Sequence, residues 1–568
     1  MKAVDRYTIE TVGIPSMVLM ERAAMAVARE AERLAGQTGV IWSVCGMGNN
    51  GADGVAAARM LALKGYTITI ITVGKEDGGT REFRAQLEIA GKLGVPVIRW
   101  KDFAARYREG CAGEKLCTDR EACVFGAARR VPACPDVLID GIFGVGLTRD
   151  VEGEYRDLIK AMSATGAKVV AVDIPSGIHS ATGQIMGAAL KADVTVTFGC
   201  GKMGSMLYPG KEYCGRLVVE DIGFPKISYD KAGPLAWTYG AEDLKGLPAR
   251  PAYSNKGTFG KVLLIAGSRG MSGAAFLAAL AAYRVGAGLV KIMTVEENRA
   301  VLQQQLPEAI VTTYRPEELS GGAGGVCDRP DGPSGRSGYG SQDGSVGRSG
   351  YGRQGECDCR TGQDWGPCHE GWEKRMEQEC AWADVIVAGP GLGQEPYVRL
   401  LIQSVLTSAY VPMVLDADGL NAIAKYPYLE QYYTENIVIT PHLGEMARLT
   451  GKSIEEIQRD IPGTAREYSG AHGVVCVLKD AATVVTGREG QCYVNASGNS
   501  CMAKAGSGDV LAGTVAGLLA QKMEPFDGAA MAVYIHGLGG DRYREEQGPA
   551  KMLARELAEE VGKITREA

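Results

Sequence analysis

The 568-residue chain has no run of 18 apolar residues. Its longest apolar stretch, Gly273–Ala282, is cut by Tyr283 and Arg284, which excludes a membrane span. The opening Met1-Lys2-Ala3-Val4-Asp5-Arg6 carries no apolar leader, so no signal peptide is expected and a cytoplasmic location is. An excess of basic charge is also missing. The net charge is −6, which gives no footprint for nucleic acid or for a membrane surface. Fifteen cysteines are too sparse for a disulfide scaffold. Cys111, Cys117, Cys123 and Cys134 form one group, and Cys327, Cys357, Cys359 and Cys368 another. Neither has the two close pairs a zinc site wants, so reduced thiols are the better reading. No G-x-x-x-x-G-K-[ST] motif occurs, which excludes a P-loop enzyme.

The balance of 45% hydrophobic and 23% charged residues excludes wholesale disorder. Glycine is in excess, with 78 residues. Sixteen of them crowd into residues 321–372, and the remainder still exceed the usual share. Strand-like runs at Val40–Val44, Tyr66–Val73, Asp136–Asp140, Lys168–Asp173 and Val194–Phe198 are bounded by Gly, Pro or Asp, with a helical pattern over Ala52–Leu63. A second series follows: strands at Lys261–Ala266, Leu289–Thr294, Asp384–Ala388, Met413–Asp416, Ile437–Thr440 and Val474–Leu478, with helices over Ala274–Val285 and Val510–Leu519. This is an α/β chain, each unit a parallel sheet between helices. We expect a first domain over 1–225 with a surface insertion at 102–135, a linker over 226–250, and a second domain over 251–568. The second carries a Gly-rich insertion at 320–372, in which Gly335-Arg336-Ser337-Gly338-Tyr339-Gly340 recurs at 347–352. That tract cannot bury enough apolar surface to offset its ordering entropy. Its Arg/Gly/Tyr content permits an RNA-binding reading; a tolerated surface insertion is the simpler one.

Three motifs of the first unit carry chemistry. Cys45-Gly46-Met47-Gly48-Asn49-Asn50-Gly51-Ala52-Asp53-Gly54 follows a strand and opens a helix, so its amides and the helix dipole suit an anionic or polar ligand. The match to G-x-G-x-x-G is formal only. The next strand ends Thr72-Val73-Gly74-Lys75, without the acidic residue a nicotinamide dehydrogenase requires. Asp140-Gly141-Ile142-Phe143-Gly144-Val145-Gly146-Leu147 and Asp173-Ile174-Pro175-Ser176-Gly177 also follow strands. An isolated strand-end Asp is usually a helix cap; three polar strand ends on one sheet edge read as a ligand site. In the second unit, Ala505-Gly506-Ser507-Gly508-Asp509 precedes an apolar helix. Its amides can form an anion hole for a phosphoryl group, with Asp509 at the mouth as a base. The alternative is a plain Asp cap on a buried helix. Gly389-Pro390-Gly391-Leu392-Gly393, Thr440-Pro441-His442-Leu443-Gly444-Glu445 and Lys479-Asp480-Ala481-Ala482-Thr483 each follow an apolar strand as well.

Together these motifs, with Asp5-Arg6, Gly13-Ile14-Pro15-Ser16, Leu19-Met20-Glu21-Arg22-Ala23-Ala24 and Tyr253–Lys261, resemble the bifunctional NAD(P)H-hydrate repair enzymes over nearly the whole chain. The resemblance implies a Rossmann-like three-layer αβα epimerase domain followed by a ribokinase-like dehydratase domain that spends ADP or ATP, with Mg²⁺. It implies that the R and S forms of NADHX and NADPHX are interconverted, and the S form dehydrated by phosphorylation at the C6 hydroxyl and loss of phosphate. Asp173 and Asp509 would be catalytic. Asn49, Asn50, Gly51, Ala52, Asp53, Gly54, Gly144, Val145, Gly146, Leu147, Thr148, Arg149, Asp150 and Tyr155 would hold substrate in the first domain. Ala274, Gly391, Gly393 and His442 would do so in the second. Lys479, Asp480, Ala481, Ala482, Thr483, Gly506, Ser507 and Gly508 would hold the nucleotide, and Asn50, Asp140 and Ser176 a potassium ion. A homo-oligomer is implied too. Three positions depart from the family pattern, Ala52, Asp480 and Ala505, each where glycine is usual. If position 52 needs positive φ, alanine there costs about 1 kcal/mol; a carboxylate at 480 would repel phosphates. The rival reading is a ribokinase-like small-molecule kinase fused to a non-catalytic binding module.

Overall fold

The computed structural model describes residues 1–75, 78–110, 134–233, 235–320, 367–549 and 552–567. The first unit is a seven-stranded, wholly parallel sheet built from β1 (Val40–Cys45), β2 (Thr67–Thr72), β3 (Val97–Arg99), β4 (Val137–Gly141), β5 (Lys168–Val172), β6 (Val194–Phe198) and β7 (Arg216–Glu220). Their order is β3-β2-β1-β4-β5-β6-β7. Sheets covered on both faces need strands that are apolar on both faces, and β4 is buried at every position. The Ser16–Ala35 helix packs on one face through Ala23, Ala24, Val27 and Ala31, a stripe at helical spacing.

The second unit has nine strands: β8 (Lys261–Ile265), β9 (Leu289–Val295), β10 (Ile310–Tyr314), β11 (Val385–Ala388), β12 (Met413–Leu415), β13 (Ile437–Ile439), β14 (Val475–Leu478), β15 (Val484–Thr486) and β16 (Cys492–Val494). Their order is β10-β9-β8-β11-β12-β13-β14-β15-β16, and only the β14–β15 and β15–β16 pairs are antiparallel. Both sheets reverse direction of growth once, between β1 and β4 and between β8 and β11. At such a switch point the loops leaving the carboxyl ends of the strands diverge and open a crevice for a ligand.

The helix that presents the Gly506–Asp509 turn is seated by glycine. The Ser507–Ala520 helix crosses the Ser272–Arg284 helix so closely that a Cβ on Gly513 would lie 2.0 Å from the carbonyl oxygen of Ala278. Gly513→Ala must push one backbone off the other. Overpacking of this kind costs about 1–3 kcal/mol or more, read as a lowered denaturation midpoint; an unchanged midpoint would contradict this packing.

Several segment boundaries differ from the sequence reading. Residues 226–250 do not form a free connector. The Lys226–Ala232 helix rests on the first unit, where Thr8 Oγ1 donates to Ser228 Oγ at 2.9 Å. Trp237 pairs with the edge of the second sheet through Cys492 and Val494, while Leu244 and Leu247 pack on its core. Of the segment 102–135, the part up to Gly110 continues a helix from Trp100, and Phe103 is buried against Trp42. The Gly-rich tract ends earlier than residue 372, because Pro367–Trp382 is helical and the buried Trp372 donates to Ser404 Oγ at 3.1 Å. Residues 111–133 and 321–366, with most of the grouped cysteines, lie outside the described residues. Among the described residues no group of three or more His, Cys, Asp or Glu is placed to hold a metal, and no helix is long and apolar enough to cross a membrane.

Candidate active sites

At the first switch point a cavity of about 700 Å³ opens between the loops that leave β1, β4 and β5, within the range of small-molecule sites. Glycine makes the β1 loop possible. A Cβ on Gly46 would sit 2.1 Å from Ile142 O, and one on Gly51 would sit 1.8 Å from Gly46 O. The Asn49–Leu63 helix therefore starts directly over the sheet edge with its amino terminus at the cavity. Asn49, Asn50, Asp53, Gly144, Val145, Gly146, Leu147, Thr148, Arg149, Tyr155 and Asp173 all line the space. Gly51, Ala52, Gly54 and Asp150 do not. Ala52 lies inside the helix, fully buried, and has no positive φ, so the strain expected there is absent.

Asp173 is held under strain. Its φ is +67°, a region that costs a non-glycine residue free energy and gathers at functional sites. Its Oδ1 accepts from Lys202 Nζ at 2.5 Å, from Thr197 Oγ1 at 3.0 Å and from Phe198 N at 3.3 Å. Lys202 is itself buried and turned inward, an ion pair the sequence reading missed; nothing in its Gly-Cys-Gly-Lys surroundings signals a partner 29 residues away. Beneath the cavity lies an oxygen cluster. Asp140 accepts from Ser176 Oγ at 2.5 Å, from Ser176 N at 2.8 Å and from Ile142 N at 3.3 Å, and burial pushes its carboxyl up to about 6. Asn50 Nδ2 donates to Phe143 O at 2.9 Å, and Phe143 N donates to Ser176 Oγ. The structure thus brings Asn50, Asp140 and Ser176 together.

The second site lies at the matching edge of the other sheet. Gly391, with φ +62°, sits against Ala274, where a Cβ would approach the Ala274 Cβ to 2.9 Å; Gly393 N donates to Asp418 Oδ2 at 2.7 Å. His442 caps the Leu443–Thr450 helix, its Nδ1 accepting from Gly444 N and Glu445 N, and its Nε2 lies 3.3 Å from Glu445 Oε1. At the centre is a charged cluster. Asp416, almost fully buried, accepts from Thr440 Oγ1 at 2.7 Å and from Lys479 Nζ at 2.8 Å. Burial lowers the Lys479 ammonium's affinity for its proton, but Asp416, Glu445 and Asp509 outweigh that and hold it charged. Asp509 is pushed up to about 7, first by burial and then by Asp416.

Lys479 Nζ also lies 3.4 Å from where a Cβ on Gly508 would be, so its charge faces the amino terminus of the Ser507–Ala520 helix. Gly506, at φ +91°, makes the turn, and buried His536 donates from Nε2 to Ser507 O at 3.0 Å. Burial drops the His536 imidazole to about 4, so it stays neutral and steadies the turn. Asp480 is raised by burial, and its charge acts on Tyr208 of the first unit; it is not among the charges that act on Asp509. Thr483 Oγ1 closes the turn on Asp480 O at 3.3 Å, with Ala482 buried beneath. Removing the central cation should be costly. Lys479→Met leaves Asp416 as a buried, unpaired carboxylate and should destabilise by about 3–5 kcal/mol. Denaturant unfolding checks this, and a loss within error of zero would contradict the ion pair.

Asp416 and His536 were not among the expected site residues. Asp416 carried the signal that exposed Asp140 and Asp173, an aspartate ending an apolar strand. His536 carried none, being one buried position in the Pro525–Gln547 helix.

Two α/β units, each built on a largely parallel sheet with a polar site at its switch point, define a two-unit α/β protein of the kind that binds small molecules at its strand ends. Residues 16–204 match the family model described as YjeF-related protein N-terminus, and residues 262–323 and 367–563 that of NAD(P)H-hydrate dehydratase. The bifunctional NAD(P)H-hydrate repair enzyme of Thermofilum pendens is 34% identical over 550 residues, covering 96% of this chain and 91% of its own. That of Moorella thermoacetica is 32% identical over 561 residues, covering 98% and 94%. An ADP/ATP-dependent NAD(P)H-hydrate dehydratase structure from Bacillus subtilis, crystallised with ATP/Mg²⁺, is 28% identical and covers 58% of this chain and 98% of its own at a TM-score of 0.44. The chain belongs to the bifunctional NAD(P)H-hydrate repair enzyme family.

Proposed function

We propose that the protein repairs hydrated nicotinamide cofactors, epimerising the R and S forms of NADHX and NADPHX at the first site and dehydrating the S form at the second. The observation that carries the dehydratase half is Asp509, a carboxyl raised toward neutrality at the amino terminus of a glycine-opened helix, beside the Lys479 ammonium. Water is a poor leaving group, and phosphate is a good one. Asp509 takes the proton of the C6 hydroxyl as that oxygen attacks the terminal phosphorus of ADP or ATP, brought in with Mg²⁺. The Gly506–Gly508 amides and Lys479 stabilise the charge that develops on the transferring group. The ring nitrogen's electrons then expel phosphate, a proton leaves C5, and NAD(P)H remains. Ala274, Gly391, Gly393 and His442 hold the hydrate, and Lys479–Thr483 flank the nucleotide.

In the first domain Asp173 is the acid/base group. A potassium ion fits Asn50, Asp140 and Ser176. Asp140 is fully buried and hydrogen-bonded only to neutral groups among the described residues, which leaves a carboxylate without a counter-charge among hard oxygen donors. The ion would supply that charge and brace the loops after β1, β4 and β5. We place the protein in the cytoplasm, as a homo-oligomer. Val18 and Met25, seven residues apart on the Ser16–Ala35 helix, are about half exposed and offer an apolar contact.

The test is stoichiometry. S-NADHX with ADP should give AMP, inorganic phosphate and NADH in equal amounts. NADH formed without loss of ADP, or ADP consumed with a stable phosphorylated product, would refute the reading, and the second of these would favour a small-molecule kinase.

A further inference from the structure

Epimerising a carbon that bears a hydroxyl and a ring nitrogen by loss and re-addition of water calls for a proton to be given on one face of the ring and taken on the other. Asp173 accounts for one of those transfers. The same cavity holds another carboxyl, Asp53, in the second turn of the Asn49–Leu63 helix. The two differ sharply in their surroundings. Asp173 is paired with Lys202 and bonded by Thr197 and Phe198 N. Asp53 makes no hydrogen bond or ion pair with any described residue, although it is mostly shielded from solvent and borders the cavity.

The helix carrying Asp53 leaves β1, and Asp173 ends β5, with β4 between those strands. Strand spacing puts those two strands about 10 Å apart, and both side chains border the one cavity. Paired carboxyl groups flanking an acetal carbon, one giving a proton and one taking it, are how inverting glycoside hydrolysis is arranged. Carbon 6 of the hydrate, with oxygen and nitrogen on one carbon, is the nitrogen counterpart.

Resting on the epimerase reading of this site, we propose that Asp53 is its second catalytic residue, the acid that protonates the departing C6 hydroxyl while Asp173 takes the proton of the water that adds on the opposite face. The C6–O bond breaks as the lone pair of N1 forms an N1–C6 double bond, and the hydroxyl leaves as water with the proton of Asp53. A water then bonds to C6, gives a proton to Asp173, and N1 recovers its lone pair. The enzyme is left with Asp53 ionised and Asp173 protonated. That is the state the reverse epimerisation starts from, and solvent in the cavity resets it. The electrostatics support the division of roles. Burial, then Asp173, then Asp5 raise Asp53 well above the usual carboxylate range, whereas Asp173 has the Lys202 cation against it.

The test uses the full chain with purified R-NADHX, and separately with S-NADHX plus ADP. Asp53→Asn keeps the shape of the side chain and removes its proton. It should slow R-to-S conversion by about 10²–10⁴-fold while ADP-dependent dehydration of the S form is unchanged, which also shows that the variant folds. Epimerisation at the parent rate in Asp53→Asn, with Asp173→Asn inactive, would overturn the role of Asp53 alone. Parent rates in both variants would overturn the epimerase reading with it. A second readout needs no variant. In ¹⁸O-labelled water each enzymatic epimerisation should place one solvent oxygen on C6. Retention of the original oxygen would point to ring opening and overturn the proposal.

Discussion

Asp509→Asn should lower nucleotide-dependent dehydration of S-NADHX by about 10²–10⁴-fold and leave epimerisation of the R form untouched. The effect should be this large because, among the described residues, the charged groups nearest Asp509 are already engaged. Lys479 is held charged, and Asp416 is committed to Lys479 and Thr440. Two consequences follow from the raised carboxyl. A base must be ionised, so the parent rate should climb as pH rises through about 7 and then level off. Stability should move the other way. A carboxyl raised to about 7 in the native protein and titrating near 4 when unfolded favours the native state at low pH, and that advantage is lost as pH rises from about 4 to about 7. At pH 8 the parent therefore carries a penalty that Asp509→Asn removes, up to about 4 kcal/mol. A dead variant more stable than its parent above neutrality separates a lost base from a broken fold. Near-normal dehydration by Asp509→Asn would refute its role.

Asp173→Asn should leave dehydration of the S form intact and reduce repair of the R form to its spontaneous epimerisation rate. Asparagine is the substitution to make, because position 173 sits at φ +67°, which Asn tolerates better than most residues. The variant leaves Lys202 buried without its carboxylate, at a cost of about 3–5 kcal/mol. Asp173→Asn combined with Lys202→Met removes both charges and should recover much of that loss without recovering epimerisation. Parent-like repair of the R epimer by either form would contradict the assignment. The two variants, mixed, should complement each other: the Asp509→Asn protein supplies S-NADHX, and the Asp173→Asn protein consumes it.

Both sheets were legible where strands are buried on both faces, because an unbroken apolar run has few other readings. Val137–Gly141 and Val475–Leu478 are of that kind. The edges were not. Val97–Arg99 is short and largely open to solvent, Arg216–Glu220 begins and ends in charge, and Val484–Thr486 with Cys492–Val494 are three-residue antiparallel additions too brief to show a period. The site motifs were readable for a different reason. Glycines with no room for a Cβ and aspartates at strand ends are local demands, and local demands leave local marks. The ion pairs left none. Lys202 reaches Asp173, and Lys479 reaches Asp416 across 63 residues, through tertiary geometry alone. The concern over Ala52 came from assuming a turn where the chain is already helical.

The central claim is that one chain carries both halves of the repair. Purified protein should be given a mixture of NADHX epimers with excess ADP, with excess ATP, and with neither, while NADH absorbance is followed. The account predicts complete recovery with at least one nucleotide and none without. Recovery that halts at the S-epimer fraction would show that the first site does not epimerise. No recovery with either nucleotide would contradict the account as a whole.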